Sequence, residues 1–183
     1  MFKVSAFILG LLASPAFAVG LQIEISGEAN GVIEIDLFED IAPGHVERIT
    51  TLAAEGAYDG IVFHRVMDGF MAQTGDVQFG NIENGDMRNV GRGGSQLPDL
   101  KQEFSSEAFV RGVVGMARGQ SVDSANSQFF IMFDANPNLN FQYTVVGKVT
   151  AGMDIVDQIK RGKGNNGAVL GKPDVMTSVK VTE

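Results

Sequence analysis

The chain has 183 residues, which is enough for one domain with a substantial core and too few for two. Hydrophobic residues make up 44 % of it and the formal net charge is −8, which disfavours both an intrinsically disordered chain and a basic nucleic-acid-binding surface. Cysteine is absent, which excludes disulfides, thiolate metal ligands and cysteine nucleophiles, and with only two histidines the sequence predicts no metal site.

The N-terminal segment has the pattern of a secretory signal peptide. Lys3 provides a positive charge, an apolar stretch follows over 4–12, and two alanines in an A-x-A arrangement end at Ala18. The apolar stretch is too short for a comfortable membrane span. We therefore expect residues 1–18 to be removed, and residues 19–183 to form one exported domain that does not insert into a membrane.

Alternation of apolar and polar residues predicts several strands. The segments 21–25 and 33–37 alternate on either side of a turn at Asn30-Gly31, which predicts a hairpin with one buried face. Because the stretch 129–133 is apolar at every position, we expect both of its faces to be buried. Three further segments have the composition of strands: 113–116, 143–149 and 175–181.

Two helices are predicted between these strands. Pro43 suits the first turn of a helix whose apolar residues repeat at helical spacing until Gly56. His45 lies near the start of this helix, and we expect it to be an exposed surface residue. A second helix is predicted at about 152–160, and the glycine-rich segment 162–171 is expected to form a flexible turn.

The most distinctive part of the chain is the fourteen-residue run that starts at Phe63. With a strand's period of two, Phe63, Arg65 and Met67 would share one face. After a turn, Met71 and Gln73 would share another. An arginine beside apolar side chains with no acid nearby is costly to bury, so Arg65 is expected to be partly exposed, paired, or waiting for a ligand.

This run resembles the central motif of bacterial cyclophilin-type peptidyl-prolyl cis-trans isomerases, and the similarity extends over 21–181. Its other specific parts are the segments 115–118, 126–131 and 146–149. The resemblance implies a mainly β fold, a closed eight-stranded antiparallel β-barrel capped by two α-helices. It also implies the activity, which is faster rotation about X–Pro peptide bonds.

The resemblance further implies the site residues. Arg65 would be the catalytic arginine and Gln73 its polar partner. Phe70 and Phe130 would act with them as walls of the proline pocket. Tyr143 stands where many members have histidine, but it keeps an aromatic wall. The expected substrate-binding residues are His64, Met71, Ala117, Arg118, Gln128, Leu139 and Tyr143.

These residue types suit a reaction that breaks no covalent bond. Resonance keeps the X–Pro bond planar, with a barrier of about 18–20 kcal/mol. Twisting gives the prolyl nitrogen a lone pair, so a guanidinium hydrogen aimed at that nitrogen, or at the prolyl carbonyl, stabilises the twisted state more than the planar one. We therefore expect no metal and no cofactor.

Two other functions stay open on the sequence alone. The barrel would hold proline-containing peptides as a non-catalytic chaperone module, which the intact Arg65 argues against. Alternatively, a lipocalin-like barrel would carry an apolar ligand, although the bulky run 129–133 suggests a filled interior. The expected partners are unfolded or partly folded proline-containing proteins. The protein is expected to be a monomer in a bacterial periplasm, with full secretion as the alternative.

Overall fold

The computed structural model describes residues 19–183, so the predicted signal segment lies outside the described residues. Nine strands and two α-helices are present in this part of the chain. In chain order they are β1 (Gly20–Ser26), β2 (Gly31–Leu37), α1 (Pro43–Ala54), β3 (Ile61–Val62), β4 (Arg65–Met67), β5 (Met71–Thr74), β6 (Val113–Met116), β7 (Phe129–Met132), β8 (Val145–Ala151), α2 (Met153–Gln158) and β9 (Val175–Thr182).

All described strands belong to one antiparallel sheet, in the order β3-β9-β1-β2-β8-β6-β7-β5-β4. The two ends of this order, β3 and β4, are consecutive in the chain and separated only by Phe63 and His64. The sheet therefore curls until its ends meet at this link, as a barrel requires. The expected eight strands become nine because Phe63 and His64 interrupt one strand and divide it into β3 and β4.

The predicted hairpin is confirmed, since β1 and β2 pair with Ile23 opposite Ile33. Their inward side chains join Phe129 and Ile131 of β7 in the barrel interior. The other face of β7 is also buried, as expected, because Phe130 and Met132 lie in a second apolar cluster outside the barrel. We call this second group the outer cluster; its buried members are Met71, Phe109, Val113, Phe130, Met132 and Val145.

Helix α1 has the predicted bounds, with Pro43 in its first turn and Gly56 beyond its end at a φ of 70°. The expectation that His45 is exposed is wrong, because its side chain is fully buried. The reason is Glu103, whose carboxylate oxygens accept the amide hydrogens of Gly44 and His45 at 3.1 Å each. The same carboxylate contacts Nδ1 of His45, so it stabilises the helix start and holds the ring inside.

The faces of the central run also differ from expectation. Phe63 packs in the barrel interior while Arg65 and Met67 lie on the outer face, because the irregular link between β3 and β4 breaks the alternation. In the β4–β5 hairpin Arg65 pairs with Gln73 and Met67 pairs with Met71. Residues paired across two strands project to the same face, so all four share the outer face rather than two separate ones.

The predicted strand 143–149 begins later and ends later, at Val145 and Ala151. Its expected first residue instead belongs to a turn, in which the amides of Gln142 and Tyr143 both donate to the carbonyl of Leu139. This turn brings Leu139 and Tyr143 to one side of the outer cluster. Neither α1 nor α2, nor any other described helix, has the length and apolar character that a membrane crossing requires.

Candidate active site

A small hollow of about 140 Å³ opens on the outer face of the sheet beside β4 and β5. We call it the proline pocket, after the resemblance noted above. Its wall combines two cations, one amide, one thioether and several aromatic and aliphatic groups. The lining residues are Arg65, Phe70, Met71, Gln73, Ala117, Arg118, Phe130, Leu139 and Tyr143.

The floor of the pocket is the outer cluster. The ring of Phe130 stacks on Phe109 with centroids 5.8 Å apart, and Tyr143 meets Phe130 edge-on at the same distance. A side chain at Gly115 would collide with both phenylalanine rings, since an added Cβ would lie 2.6 Å from each. The glycine therefore makes room for the aromatic stack, which holds Phe130 in place without a polar contact.

The guanidinium of Arg65 is held by neutral acceptors. Its Nε donates to the carbonyl of Asn166 at 3.0 Å, and its Nη2 donates to Oδ1 of the same residue at 3.2 Å. On the other side Nη1 donates to Oε1 of Gln73 at 3.0 Å. The remaining contacts are to sulfur: Nη1 to Met71 at 3.8 Å and Nη2 to Met67 at 3.1 Å.

These contacts divide the five N–H donors of a guanidinium into two kinds. Three meet amide oxygen atoms, and two meet thioethers, which are weak acceptors. Within residues 19–183, no carboxylate oxygen lies within 4 Å of an Arg65 nitrogen. Burial lowers the pKa of Arg65, yet an arginine in a protein stays protonated. The site therefore presents a full positive charge with two weakly engaged donors.

A chain of amides fixes the orientation of Gln73. Its Nε2 donates to Oε1 of Gln128 at 2.9 Å, and Nε2 of Gln128 donates to the carbonyl of Gly93 at 2.8 Å. The loop around Gly93 is in turn anchored by Asp76, which is fully buried. Its carboxylate accepts four backbone amide hydrogens, including that of Gly93 at 3.0 Å. The Oε1 atom of Gln73 is therefore oriented towards Arg65 by a chain of hydrogen bonds that ends in this loop.

Arg118 forms the opposite edge of the pocket. Its guanidinium lies over the Tyr143 ring, 4.5 Å from the centroid, and its Nε and Nη2 donate to the carbonyl of Gln142 at 3.2 and 3.0 Å. Nη1 donates to the carbonyls of Gly119 and Gln120. All three nitrogens of the Arg118 guanidinium thus donate to nearby backbone carbonyls, and its plane packs on the Tyr143 ring and fixes the position of that ring.

A second, larger hollow of about 490 Å³ adjoins the proline pocket and shares Gln73, Ala117 and Arg118 with it. Glycines 91, 93 and 94, Ser95 and Asn126 contribute to its polar wall. The two hollows form one groove, with an apolar end at Phe130 and a polar end at the glycine loop. Such a groove fits an extended peptide that places one ring in the apolar end.

The structure brings ten of the eleven predicted site residues to this groove: nine line the proline pocket, and Gln128 lines the larger hollow. The exception is His64, which lines neither hollow and is only 8 % exposed. Both of its ring nitrogens are buried without a hydrogen-bond partner. Burial lowers the pKa of His64 to about 4, against the opposing attraction of Asp76, so the ring is neutral at pH 7.

Two contributors were missed from the sequence. Asn166, which contacts Arg65, lies 101 residues away in the glycine-rich segment that had been expected to be a flexible turn. Asp76, which anchors the loop around Gly93, is the last residue of the distinctive run. An acidic residue shortly before a glycine-rich loop was the sequence feature that could have indicated this role. Among the described residues, no group of three or more His, Asp or Glu side chains is arranged to hold a metal ion.

Comparisons with known proteins agree with this geometry. A family model described as "Cyclophilin type peptidyl-prolyl cis-trans isomerase/CLD" matches residues 21–181. Over 142 residues the chain is 62 % identical to a probable peptidyl-prolyl cis-trans isomerase of Brucella suis, which covers 76 % of this chain and 72 % of that protein.

Solved structures show the same fold. A crystal structure of a cyclophilin-type peptidyl-prolyl cis-trans isomerase of Cryptosporidium parvum has a TM-score of 0.77 at 21 % identity, covering 91 % of this chain and 99 % of the other. The same protein in the presence of the dipeptide Ala-Pro gives a TM-score of 0.74 at 22 % identity, covering 90 % and 99 %.

Proposed function

Because this chain belongs to the cyclophilin-type peptidyl-prolyl cis-trans isomerase family, we propose that its groove binds an extended X–Pro peptide and that Arg65 stabilises the twisted peptide bond. The observation that carries this proposal is the donor arrangement at Arg65. Three of its N–H groups are tied to amide oxygens, and two are left on thioethers at the pocket wall. A peptide carbonyl oxygen is a much better acceptor than a thioether, and the prolyl nitrogen becomes an acceptor when the bond twists, so substrate can displace the sulfur contacts.

The donor on Nη1 is the one we assign to the substrate. Nη1 is held by Gln73 through one hydrogen, and its other hydrogen lies towards Met71, which is itself a wall of the proline pocket. A prolyl ring seated on Phe130 brings its nitrogen and carbonyl to this side of the guanidinium. As the bond twists, the nitrogen gains a lone pair that accepts this hydrogen more strongly than the planar amide does.

The magnitudes are adequate for catalysis without a covalent step. A 10⁵-fold acceleration requires about 7 kcal/mol off the barrier. One preorganised charged donor supplies about 2.7–4 kcal/mol, and exclusion of water by Phe130, Leu139 and Tyr143 strengthens it. Anchoring of the flanking peptide in the larger hollow supplies a further share, because it holds the prolyl bond in the reactive orientation.

The test compares two arginines of the same chain. Arg65→Ala is expected to lower kcat/KM for a short X–Pro peptide by about 10²–10³, the loss typical of one preorganised donor. Arg111→Ala is the matched control, because Arg111 is half exposed and pairs with Asp157 outside the groove. Full activity of the Arg65→Ala protein, free of other isomerases, would refute the role of Arg65 and favour the non-catalytic binding module.

We also propose that the protein is a bacterial periplasmic isomerase that acts, as a monomer, on unfolded or partly folded exported proteins. Support comes from the signal-like pattern of residues 1–18 and from the structure of the Cryptosporidium protein in the presence of Ala-Pro. The expected N-terminus of the exported protein is Val19. Mass determination of the protein from a periplasmic extract tests this, and a retained Met1 would contradict it.

A further inference from the structure

On the basis of the role proposed above for Arg65, we propose that Asn166 is a positioning residue for its guanidinium, and that the loop 162–169 places Asn166 there. No other described residue contacts the guanidinium through two oxygen atoms. The carbonyl and Oδ1 of Asn166 take the hydrogens of Nε and Nη2, which form one edge of the guanidinium plane. Together with Gln73 on Nη1, three oxygen atoms then determine both the position and the tilt of this plane.

The loop is docked on the strand that carries Arg65. Strand β4 is the last in the sheet order, so one of its edges has no partner strand. Along this edge the amide of Val169 donates to the carbonyl of His64 at 3.0 Å, and the amide of Gly162 donates to the carbonyl of Val66 at 2.9 Å. These two bonds lie on either side of Arg65 in sequence. The loop therefore arches over Arg65 with Asn166 at its middle.

The backbone of Asn166 is specialised for this task. It has a φ of 55° and a ψ of 33°, the left-handed conformation that asparagine tolerates better than most residues. The next residue, Gly167, also has a positive φ, and an added Cβ there would lie 2.3 Å from Cγ of Met67. Close packing of the loop on Met67 thus requires glycine at 167, and it brings the preceding asparagine within reach of Arg65.

The orientation of the Asn166 amide follows from chemistry. A guanidinium has donors only, so the amide must turn its oxygen, not its nitrogen, towards Nη2. A neutral acceptor holds the arginine without cancelling its charge, whereas a carboxylate at the same place would form an ion pair. The arrangement therefore keeps the electrostatic effect on a developing lone pair while removing the freedom of the guanidinium to rotate away.

A role in orientation has a kinetic signature. The prolyl ring is bound by apolar walls that Asn166 does not touch, whereas the Arg65 hydrogen matters most in the twisted state. Removing the Asn166 side chain should therefore lower kcat and leave KM nearly unchanged. Asn166→Gly is the suitable variant, because glycine tolerates the left-handed backbone and keeps the carbonyl acceptor, while the side chain with its Oδ1 acceptor is removed.

The matched control is Asn165→Gly, which makes the same chemical change one position earlier in the same exposed loop. The Asn165 side chain makes no hydrogen bond within residues 19–183, and only its carbonyl is used, by the amide of Ala168. Isomerisation of a short X–Pro peptide is followed for both variants. Asn166→Gly is expected to lower kcat by about 3–10-fold with KM within twofold, and Asn165→Gly is expected to match the parent protein.

A double variant separates positioning from an independent effect. In an Arg65→Ala background, Asn166→Gly should change kcat by less than twofold, because the group that it orients is already gone. Unchanged kcat in the single Asn166→Gly variant would overturn the proposal. So would an equal loss in Asn165→Gly, which would indicate general loosening of the loop, or an undiminished loss in the Arg65→Ala background.

Discussion

The two faces of strand β7 show how this barrel separates stability from activity. Phe129 and Ile131 point inward and are 1 % and 0 % exposed, among apolar neighbours in the barrel interior. Phe130 and Met132 point outward into the outer cluster, where Phe130 also lines the proline pocket. Successive residues of one short strand therefore contribute alternately to the barrel core and to the outer face that carries the site.

The contrast between the inner and outer faces of β7 explains how the outer face can hold an arginine that has no acidic partner. On the inner face no such cation would be tolerated, because burial without compensating partners is costly. On the outer face Arg65 is partly exposed and is held by three amide oxygens, two from Asn166 on one side and one from Gln73 on the other. The apolar floor supplied by Phe130 then gives the charge a low-dielectric surface to act across.

The largest expected effect comes from truncating one aromatic side chain on each face of β7. Phe129→Ala and Phe130→Ala each remove a buried ring and are expected to lower the free energy of unfolding by about 3–5 kcal/mol. Only Phe130→Ala should also lower kcat/KM of the folded protein, because only this ring seats the prolyl group. Chemical denaturation and peptide turnover on the same samples check both parts.

An equal loss of kcat/KM in both variants, after correction for the folded fraction, would contradict the claim that of these two rings only Phe130 contributes to the proline pocket. Ile131→Ala and Met132→Ala are controls, because they remove one inward and one outward side chain of the same strand. Neither residue lines the pocket, so both should cost stability, by about 2–5 kcal/mol, without a specific loss of turnover.

The next effect concerns His64, which links β3 of the barrel to β4 of the site. Its folded pKa is about 4, below the ordinary value of 6.5. Between pH 6.5 and 4 the unfolded chain binds a proton on His64 and the folded chain does not. The free energy of unfolding should therefore fall as pH falls through this window, by about 2–3 kcal/mol by pH 4.5.

Denaturation at pH 7 and pH 4.5 measures this loss, with His64→Gln as the control that lacks the titrating group. An equal acid loss in both proteins would show that His64 is not held neutral. Turnover gives a second check: because His64 stays neutral and no other group acts as acid or base, kcat/KM should be flat from about pH 6 to 9.

The smallest effect is expected at Arg111, an exposed arginine that forms an ion pair with Asp157. Arg111 forms two hydrogen bonds with the carboxylate of Asp157, at 2.9 and 2.7 Å, but both side chains are more than 40 % exposed. Solvent screening leaves such a pair with about 0–1 kcal/mol of stability. Arg111 also donates to the carbonyl of Phe133 at 3.1 Å, a bond worth about 0.5–1.5 kcal/mol. Arg111→Ala should therefore lower the unfolding free energy by no more than about 2 kcal/mol, and a larger loss in denaturation would contradict this.

Periodicity and motif predicted most of the fold and most of the residues that line the groove. The β1–β2 hairpin, α1 and the doubly buried β7 follow from local spacing, and Arg65 and Gln73 follow from one short run that forms a single hairpin. Such features depend on residues that are close in sequence, so the spacing of residue types is enough to predict them.

What could not be predicted depends on contacts between distant segments. Asn166 reaches Arg65 across 101 residues, and its glycine-rich loop has no periodicity to report where it docks. Glu103 buries His45 across 58 residues. The interruption at Phe63 and His64, which turns one expected strand into two, likewise follows from closure of the sheet rather than from local alternation.

The role proposed for Arg65 requires that an oriented guanidinium, and not merely a positive charge, stabilises the twisted X–Pro bond. Arg65→Lys tests it most directly, because lysine keeps the charge but cannot reproduce the planar fork that Gln73 and Asn166 hold. The measurement is kcat/KM on a short X–Pro peptide, beside Arg65→Ala. We expect a loss of at least about 30-fold, within about tenfold of the alanine variant. A lysine variant within about threefold of the parent protein would contradict it.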